Sequence, residues 1–124
     1  MTEQERIFKH RPITHVPKPW GYELIFAQTD RYVGKILHIN QGESLSLQYH
    51  EMKEETLYVV DGELTLTIEC DGDRRELPLR KGEAFHLPPR LIHRMFAVVD
   101  TDVAEVSTPE LQDVVRLEDR YGRV

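Results

Sequence analysis

The sequence has little of three features that would point to particular kinds of protein. Among 124 residues Cys70 is the only cysteine, so no internal disulfide can form and an oxidising compartment gains no support. The formal net charge is −6 and there is no basic run, so the cationic surface that nucleic-acid binding requires is missing. No window approaches the roughly 20 apolar residues of a membrane-spanning helix. We therefore expect neither nucleic acid nor a membrane as a partner.

Length and the first residues give two further expectations. A chain of 124 residues fits one domain, since domains usually hold about 100 to 150 residues. The first ten residues carry mixed charge and lack the apolar stretch of a secretory signal, which predicts a cytoplasmic protein. The acidic composition still permits an anionic small-molecule ligand, because one or two cations inside a pocket are enough to bind it.

The distribution of apolar residues predicts an all-β fold. From Arg31 to about Val106 the chain is rich in Val, Ile, Leu and Tyr, with turn-forming residues every ~8 to 12 positions. The pairs Asp61-Gly62 and Asp71-Gly72 each suit a two-residue type I′ turn, so both are expected to form hairpins. About nine short strands and no long helix favour a closed barrel or a sandwich.

The two ends of the chain differ from this central region. Residues 1–17 are expected to form an N-terminal arm, and residues 18–124 the main domain. The stretch from Phe8 to Trp20 contains three prolines and is expected to be extended, because proline cannot donate to a sheet ladder. Apolar residues in this stretch predict that the arm crosses to the partner barrel of a homodimer. Residues 111–120 are expected to form a short C-terminal helix that ends at Gly122.

Candidate metal ligands occur at two places, each after a glycine and a short strand. Gln48 and His50 are two residues apart in a predicted strand, so both side chains lie on one face and can reach the same ion. Glu55 follows across a bend, and His93 begins a later strand after a proline-containing turn. An amide oxygen, two imidazoles and a carboxylate form a mixed set that accepts zinc, iron, manganese, cobalt or nickel.

The spacing of these residues resembles the two sequence motifs of the cupin superfamily. The residues in register are Gly42, His50, Glu55 and Gly62 in the first motif, and Gly82, Pro88 and His93 in the second. Gln48 replaces the first histidine of the first motif, while Arg90 and Ala97 stand where the second has glycine and asparagine. The resemblance implies a double-stranded β-helix, a jelly-roll barrel, that holds one divalent metal ion through Gln48, His50, Glu55 and His93.

A narrower resemblance accounts for the glutamine. Residues 45–50, Leu-Ser-Leu-Gln-Tyr-His, are similar to the LSLQ-x-H signature of the cupin domain in type II phosphomannose isomerases, also called mannose-6-phosphate isomerases. Lys18-Pro19-Trp20-Gly21, His93-Arg94 and residues 115–123 are similar to the same family in the same order. The resemblance implies a metal-dependent aldose–ketose isomerase of a sugar phosphate, with zinc as the metal. The chain departs from that family at Thr56-Leu57, where the family has His-Trp.

Three further residues are candidates for catalysis. Lys53 and Arg94 lie where the resembled isomerases also carry basic residues, and would stabilise an enediolate or bind a phosphate. The proton-transfer base is open between Glu105, Glu54 and a metal-bound water. An enzyme is favoured, but two alternatives remain: a non-catalytic metal- or sugar-binding cupin, and a cupin dioxygenase that uses two histidines and one carboxylate.

Overall fold

Antiparallel strands make up most of the regular structure, which we describe from a computed structural model of residues 1–124. The elements are α1 (Glu3–Ile7), β1 (Thr14–Lys18), β2 (Gly21–Gln28), β3 (Val33–Ile39), β4 (Leu47–Tyr49), β5 (Glu55–Asp61), β6 (Glu63–Cys70), β7 (Asp73–Arg80), β8 (Ala84–Leu87), β9 (Ile92–Ala97), β10 (Thr101–Ser107) and β11 (Val115–Glu118). The only helix is one of five residues. No helix is both long enough and apolar enough to cross a membrane.

The strands form two antiparallel sheets with a nested pattern of pairing. Their orders are β1-β2-β3-β10-β5-β8 and β11-β4-β9-β6-β7. Around the central β6–β7 hairpin, β5 pairs with β8, β4 with β9, and β3 with β10. This nesting is the double-stranded β-helix, or jelly roll. The predicted all-β cupin barrel is confirmed.

The core lies between the two sheets because the strands alternate in burial. In β5, β9 and β10 every second residue points inward and is buried. Twelve apolar residues form the core cluster: Trp20, Leu37, Ile39, Leu57, Val59, Leu64, Leu66, Leu79, Leu87, Met95, Ala97 and Val103. They occupy one end of the barrel, and inward positions toward the other end hold Lys35, Glu55, His93 and Glu105.

The two Asp-Gly pairs turn the chain in different ways. Asp71 and Gly72 both have left-handed φ values, 51° and 79°, and join β6 to β7 as the predicted type I′ hairpin. At Asp61-Gly62 only the glycine has a positive φ, 98°, and β5 and β6 belong to different sheets. The hairpin predicted here is wrong, because Gly62 forms a corner between the sheets. A Cβ at Gly62 would lie 2.5 Å from Thr101 Oγ1, so the corner excludes a side chain.

The ends of the chain add strands to both sheets. Residues 14–18 form β1 at the edge of the larger sheet, where Pro17 is tolerated because an edge strand does not need every N–H. Residues 115–118 form β11 and not the predicted C-terminal helix. The correction has a tertiary cause: β11 pairs with β4, which would otherwise leave its edge unpaired.

Candidate metal centre

Three of the four predicted metal ligands come together at the polar end of the barrel. His50 follows β4, Glu55 begins β5 and His93 lies in β9. His50 Nε2 is 3.1 Å from Glu55 Oε1, and His93 Nε2 is 3.4 Å from the same oxygen. All three side chains are at most 5% exposed. Their ligand atoms lie within 4.8 Å of one another, so one ion can contact all three.

Backbone carbonyl groups orient both imidazole rings. His50 Nδ1 lies 2.5 Å from the carbonyl oxygen of Asp113, and His93 Nδ1 lies 2.9 Å from that of Leu91. Since a carbonyl oxygen only accepts, each Nδ1 carries a hydrogen, and each Nε2 faces Glu55 as the ring nitrogen available to a cation. His93 Nε2 is buried without a hydrogen-bond partner. A divalent cation beside Glu55 would satisfy this atom, so the three residues fit a metal ion.

Gln48 lies beside this cluster. It is paired with His93 across β4 and β9, and directly paired residues of neighbouring strands share a face of the sheet. The hydroxyl of Ser46 donates a 2.6 Å hydrogen bond to Gln48 Oε1. An amide oxygen has two lone pairs, so Gln48 retains one for a cation. Its role as the fourth ligand stays a prediction.

A row of alternating charges leads away from the cluster. Lys53 Nζ is 3.1 Å from Glu55 Oε2 and 3.3 Å from Glu105 Oε2. Lys35 Nζ is 3.6 Å from the same oxygen of Glu105 and 3.3 Å from Glu23 Oε2. All five residues are buried. Charges at this depth are tolerated because each has a neighbour of opposite sign.

The pKa values in this row move in different directions. Burial alone lowers the pKa of Lys53, but the charges of Glu105 and Glu55 outweigh it and raise that pKa above its ordinary value. Burial raises the pKa of Glu55, yet the imidazoles of His50 and His93 at its carboxylate, together with the charge of Lys53, bring it well below the usual range. For Glu105, burial and the charge of Glu55 raise the pKa against the effect of the lysines. Glu55 is therefore the carboxyl group held ionised.

Arg94 does not reach the cluster, which corrects the expectation from the sequence. Neighbouring residues of a strand point to opposite faces, and His93 points inward. Arg94 lies on the outer face of its sheet, where its Nη1 is 3.5 Å from Glu118 Oε2. Glu54 is also outside, because its exposed carboxylate contacts His86 Nε2 at 2.6 Å. Of the basic and acidic candidates, the structure brings Lys53 and Glu105 to the cluster.

Comparison with known proteins identifies the family. Residues 35–108 match the family described as Cupin domain. The chain belongs to the cupin family. Mannose-1-phosphate guanylyltransferase of Escherichia coli K12 is 38% identical over 122 residues, which cover 94% of this chain and 24% of that protein. This cupin thus spans about a quarter of the length of that relative.

Two other comparisons extend the family relationship. A 3-hydroxyanthranilate 3,4-dioxygenase of Xanthomonas oryzae pv. oryzae is 33% identical over 84 residues, covering 64% of this cupin and 48% of the dioxygenase. The capsular polysaccharide assembling protein CapF of Staphylococcus aureus superposes with a TM-score of 0.71 at 21% identity. That match covers 86% of this chain and 34% of CapF, and at this identity it shows the fold alone.

Asp113 is a site residue that the sequence did not reveal. Its carboxylate accepts hydrogen bonds from the backbone N–H groups of Glu51, Met52 and Lys53 at 3.0, 2.7 and 2.9 Å. These bonds lower the pKa of Asp113, and the bond from Met52 has the largest effect. The same residue orients His50 through its carbonyl oxygen. No local pattern could have found it, because the partners lie 60 to 63 positions apart.

The cavity over the cluster has a volume of about 300 Å³. Its walls come from the inner faces of both sheets and from the C-terminal segment, including Val114 and Arg116. Glu23, which the sequence did not single out, lines it beside Lys35. The signal for Glu23 was present, since a lone charge at an inward position of an apolar strand indicates a buried polar site. The cavity is large enough for a small polar ligand.

Proposed function

We propose that this cupin is a metal-dependent isomerase that interconverts an aldose phosphate and a ketose phosphate, with mannose 6-phosphate and fructose 6-phosphate as the leading pair. The observation that carries the proposal is the buried cluster of His50, Glu55 and His93 with Lys53 and Glu105 beside it. The identity to a mannose-1-phosphate guanylyltransferase and the resemblance to phosphomannose isomerases support a phosphorylated mannose-type sugar as the substrate.

Gln48, His50, Glu55 and His93 would hold the ion, and zinc is the first candidate by resemblance. Manganese, iron, cobalt and nickel accept the same ligand types. A bound divalent ion polarises carbonyl and hydroxyl oxygens and thereby favours loss of a proton from the adjacent carbon. The protein's part is to direct the Nε2 atoms of two imidazoles at the site, which it does by engaging both Nδ1 atoms with backbone carbonyls.

Glu105 is the proposed proton-transfer base. The reaction moves a proton between adjacent carbons, which requires a base inside the cavity. Glu105 lines the cavity and Glu54 does not. Lys53 is placed between Glu105 and Glu55, so it fixes both carboxylates and adds a positive charge near the negative charge that develops on the substrate.

A coupled assay of the purified protein, loaded with zinc, manganese or iron, tests the proposal against the 6-phosphates of mannose and glucose. We expect interconversion of one aldose–ketose pair. Glu105→Gln should lower turnover by at least ~10²-fold, the usual contribution of a general base, while bound metal is retained. The matched control is Glu76→Gln, on the exposed side of β7, which should leave turnover unchanged. If no metal form interconverts any such pair, the proposal fails.

Dioxygenase activity is the second candidate. The 33% identity to a 3-hydroxyanthranilate 3,4-dioxygenase favours it, and two histidines with one carboxylate form a ligand set that iron oxygenases also use. Oxygen uptake by the iron-loaded protein with 3-hydroxyanthranilate separates the candidates. The isomerase proposal expects no uptake above that of a His93→Ala control. Uptake that depends on His93 would favour the dioxygenase.

We also propose that the protein is a homodimer. The outer face of the larger sheet carries an apolar row across four strands, with Leu24, Ile36, Ala104 and Tyr58 in register. The N-terminal arm carries exposed apolar side chains among its charged residues, with Ile7 68% and Phe8 81% exposed. The chain therefore has both an apolar face and apolar arm residues that nothing covers. This supports a dimer in which the arm of each copy covers the face of its partner. Light scattering should give a dimer for the full chain and a monomer after deletion of residues 1–13; a monomeric full chain would reject the proposal.

A further inference from the structure

Five cationic side chains line the cavity above the metal cluster, and four of them have an anionic partner. The pairs are Lys18–Glu23, Lys35–Glu23, Lys53–Glu55 and Arg123–Asp119. The fifth cation, Arg116, makes no ion pair, and its Nε is buried without a hydrogen-bond partner. Arg116 is therefore the one cation of the cavity wall whose charge is not neutralised by the protein.

Strand pairing determines where Arg116 points. It is paired with Gln48 across β11 and β4, and Gln48 is paired with His93 across β4 and β9. Residues paired in this way share a face of the sheet, and His93 faces the interior. Arg116 accordingly lies in one row with two predicted metal ligands. The backbones of β11 and β9 are two strand spacings apart, about 10 Å.

We infer that Arg116 binds the anionic group of the ligand whose oxygens face the metal cluster. A guanidinium group presents a planar fork of N–H donors that matches phosphate or carboxylate oxygens. A sugar 6-phosphate separates its phosphate from its carbonyl by the length of its carbon chain, which suits an anion site two strands from the cluster. The inference deepens the proposed isomerase function and rests on it for the sugar part of the ligand. It also gives Arg116 the anion-binding role that the sequence assigned to Arg94.

Calorimetric titration of the metal-loaded protein tests the inference. The probes are mannose 6-phosphate, mannose, glucuronate and inorganic phosphate. The variants are Arg116→Gln, Arg116→Lys and the matched control Arg75→Gln, whose side chain is exposed on β7 and faces Asp73. Bound metal and the thermal midpoint are measured for each variant, so that a folding defect is recognised.

In the unaltered protein, we expect mannose 6-phosphate to bind at least about tenfold more tightly than mannose, and inorganic phosphate to compete with it. Arg116→Gln should weaken the binding of mannose 6-phosphate by about tenfold to a hundredfold, because a charge-assisted bidentate contact is lost. The affinity for mannose and the metal content should stay unchanged. The affinity of Arg116→Lys for mannose 6-phosphate should lie between those of the unaltered protein and Arg116→Gln, because lysine keeps the charge but lacks the planar fork of donors. Arg75→Gln should match the unaltered protein. If glucuronate binds more tightly than mannose and this binding depends on Arg116, the result would also support the site, with a carboxylate as its anion.

Three results would overturn the inference: equal affinity for mannose and mannose 6-phosphate, equal affinity of the unaltered protein and Arg116→Gln for the phosphate ester, or no saturable binding. The two proposals fail separately. Binding that depends on Arg116 without turnover rejects the isomerase and keeps the anion site. Turnover with an unchanged KM in Arg116→Gln rejects the anion site and keeps the isomerase.

Discussion

The two ends of the barrel are built from the same strands and have opposite character. Inward positions along β5 change from Glu55 to Leu57 within one strand repeat, and those along β10 change from Val103 to Glu105. At the apolar end each fully buried leucine contributes roughly 1.5 to 3 kcal/mol to folding. At the polar end each buried charge is unfavourable unless it is paired. The comparison teaches that one end stabilises the fold and the other end presents the chemistry, although no domain boundary separates them.

The largest expected effect is the loss of metal from the polar end. His93→Ala removes one ligand and should weaken metal affinity by more than the roughly 10- to 100-fold effect of changing a residue that only supports a ligand. Elemental analysis by mass spectrometry gives bound metal per chain. His86→Ala is the control, since His86 is exposed and contacts Glu54, and it should keep full occupancy. Full occupancy in both His93→Ala and His50→Ala would contradict the assignment.

Truncation of a buried leucine at the apolar end should lower the stability of the fold and leave metal binding unchanged. Leu66 is fully buried, and Leu66→Ala should lower the free energy of unfolding by about 2 to 5 kcal/mol because it leaves a cavity. Urea unfolding measures this change, and bound metal per folded chain should stay the same. Leu77→Ala is the matched control: Leu77 pairs with Leu66 across β6 and β7 but is 37% exposed. Loss of metal together with stability in Leu66→Ala would show that the two ends are not separable.

Relief of backbone strain at Arg90, near the polar end, should raise the free energy of unfolding, by less than Leu66→Ala lowers it. Arg90 has a φ of 71°, at the position where the cupin motif carries glycine, and this conformation costs a residue with a Cβ roughly 1 to 2 kcal/mol. Arg90→Gly should raise the free energy of unfolding by about 0.5 to 1 kcal/mol, since glycine loses more chain entropy on folding. Arg90→Ala keeps the Cβ and should not stabilise. Equal unfolding midpoints for the two variants would argue against strain.

The smallest effect is expected from changing Arg94, on the outer face of its sheet. Arg94→Ala should leave bound metal unchanged and alter turnover by less than about threefold, because Arg94 lies across the sheet from the cluster. A residue that stabilises transition-state charge would show a loss of ~10²-fold or more. Steady-state kinetics beside Arg116→Gln gives the sharper comparison. A large loss of turnover in Arg94→Ala would mean that the chemistry does not take place inside the barrel.

The sequence predicted most of what depends on short-range spacing. His50 and Glu55 were found because the alternation of a strand and the length of a bend are local properties. The same alternation predicts that Arg94 faces away from His93, whereas the family resemblance had placed it at the site. The corner at Gly62 does not follow from local sequence, since local turn chemistry does not tell whether two strands join the same sheet. The C-terminal strand likewise depends on a partner, β4, that lies far away in the sequence.

The contact between Asp113 and the segment from His50 to Lys53 has a consequence for protein synthesis. The ring of His50 and three consecutive N–H groups find their acceptors only in a residue made about 60 positions later. Since the N-terminal part of a chain leaves the ribosome first, His50 emerges before the group that orients it. Stable capture of metal is then expected to follow the emergence of residue 113, so the ion loads onto a nearly finished barrel and does not template the nascent chain.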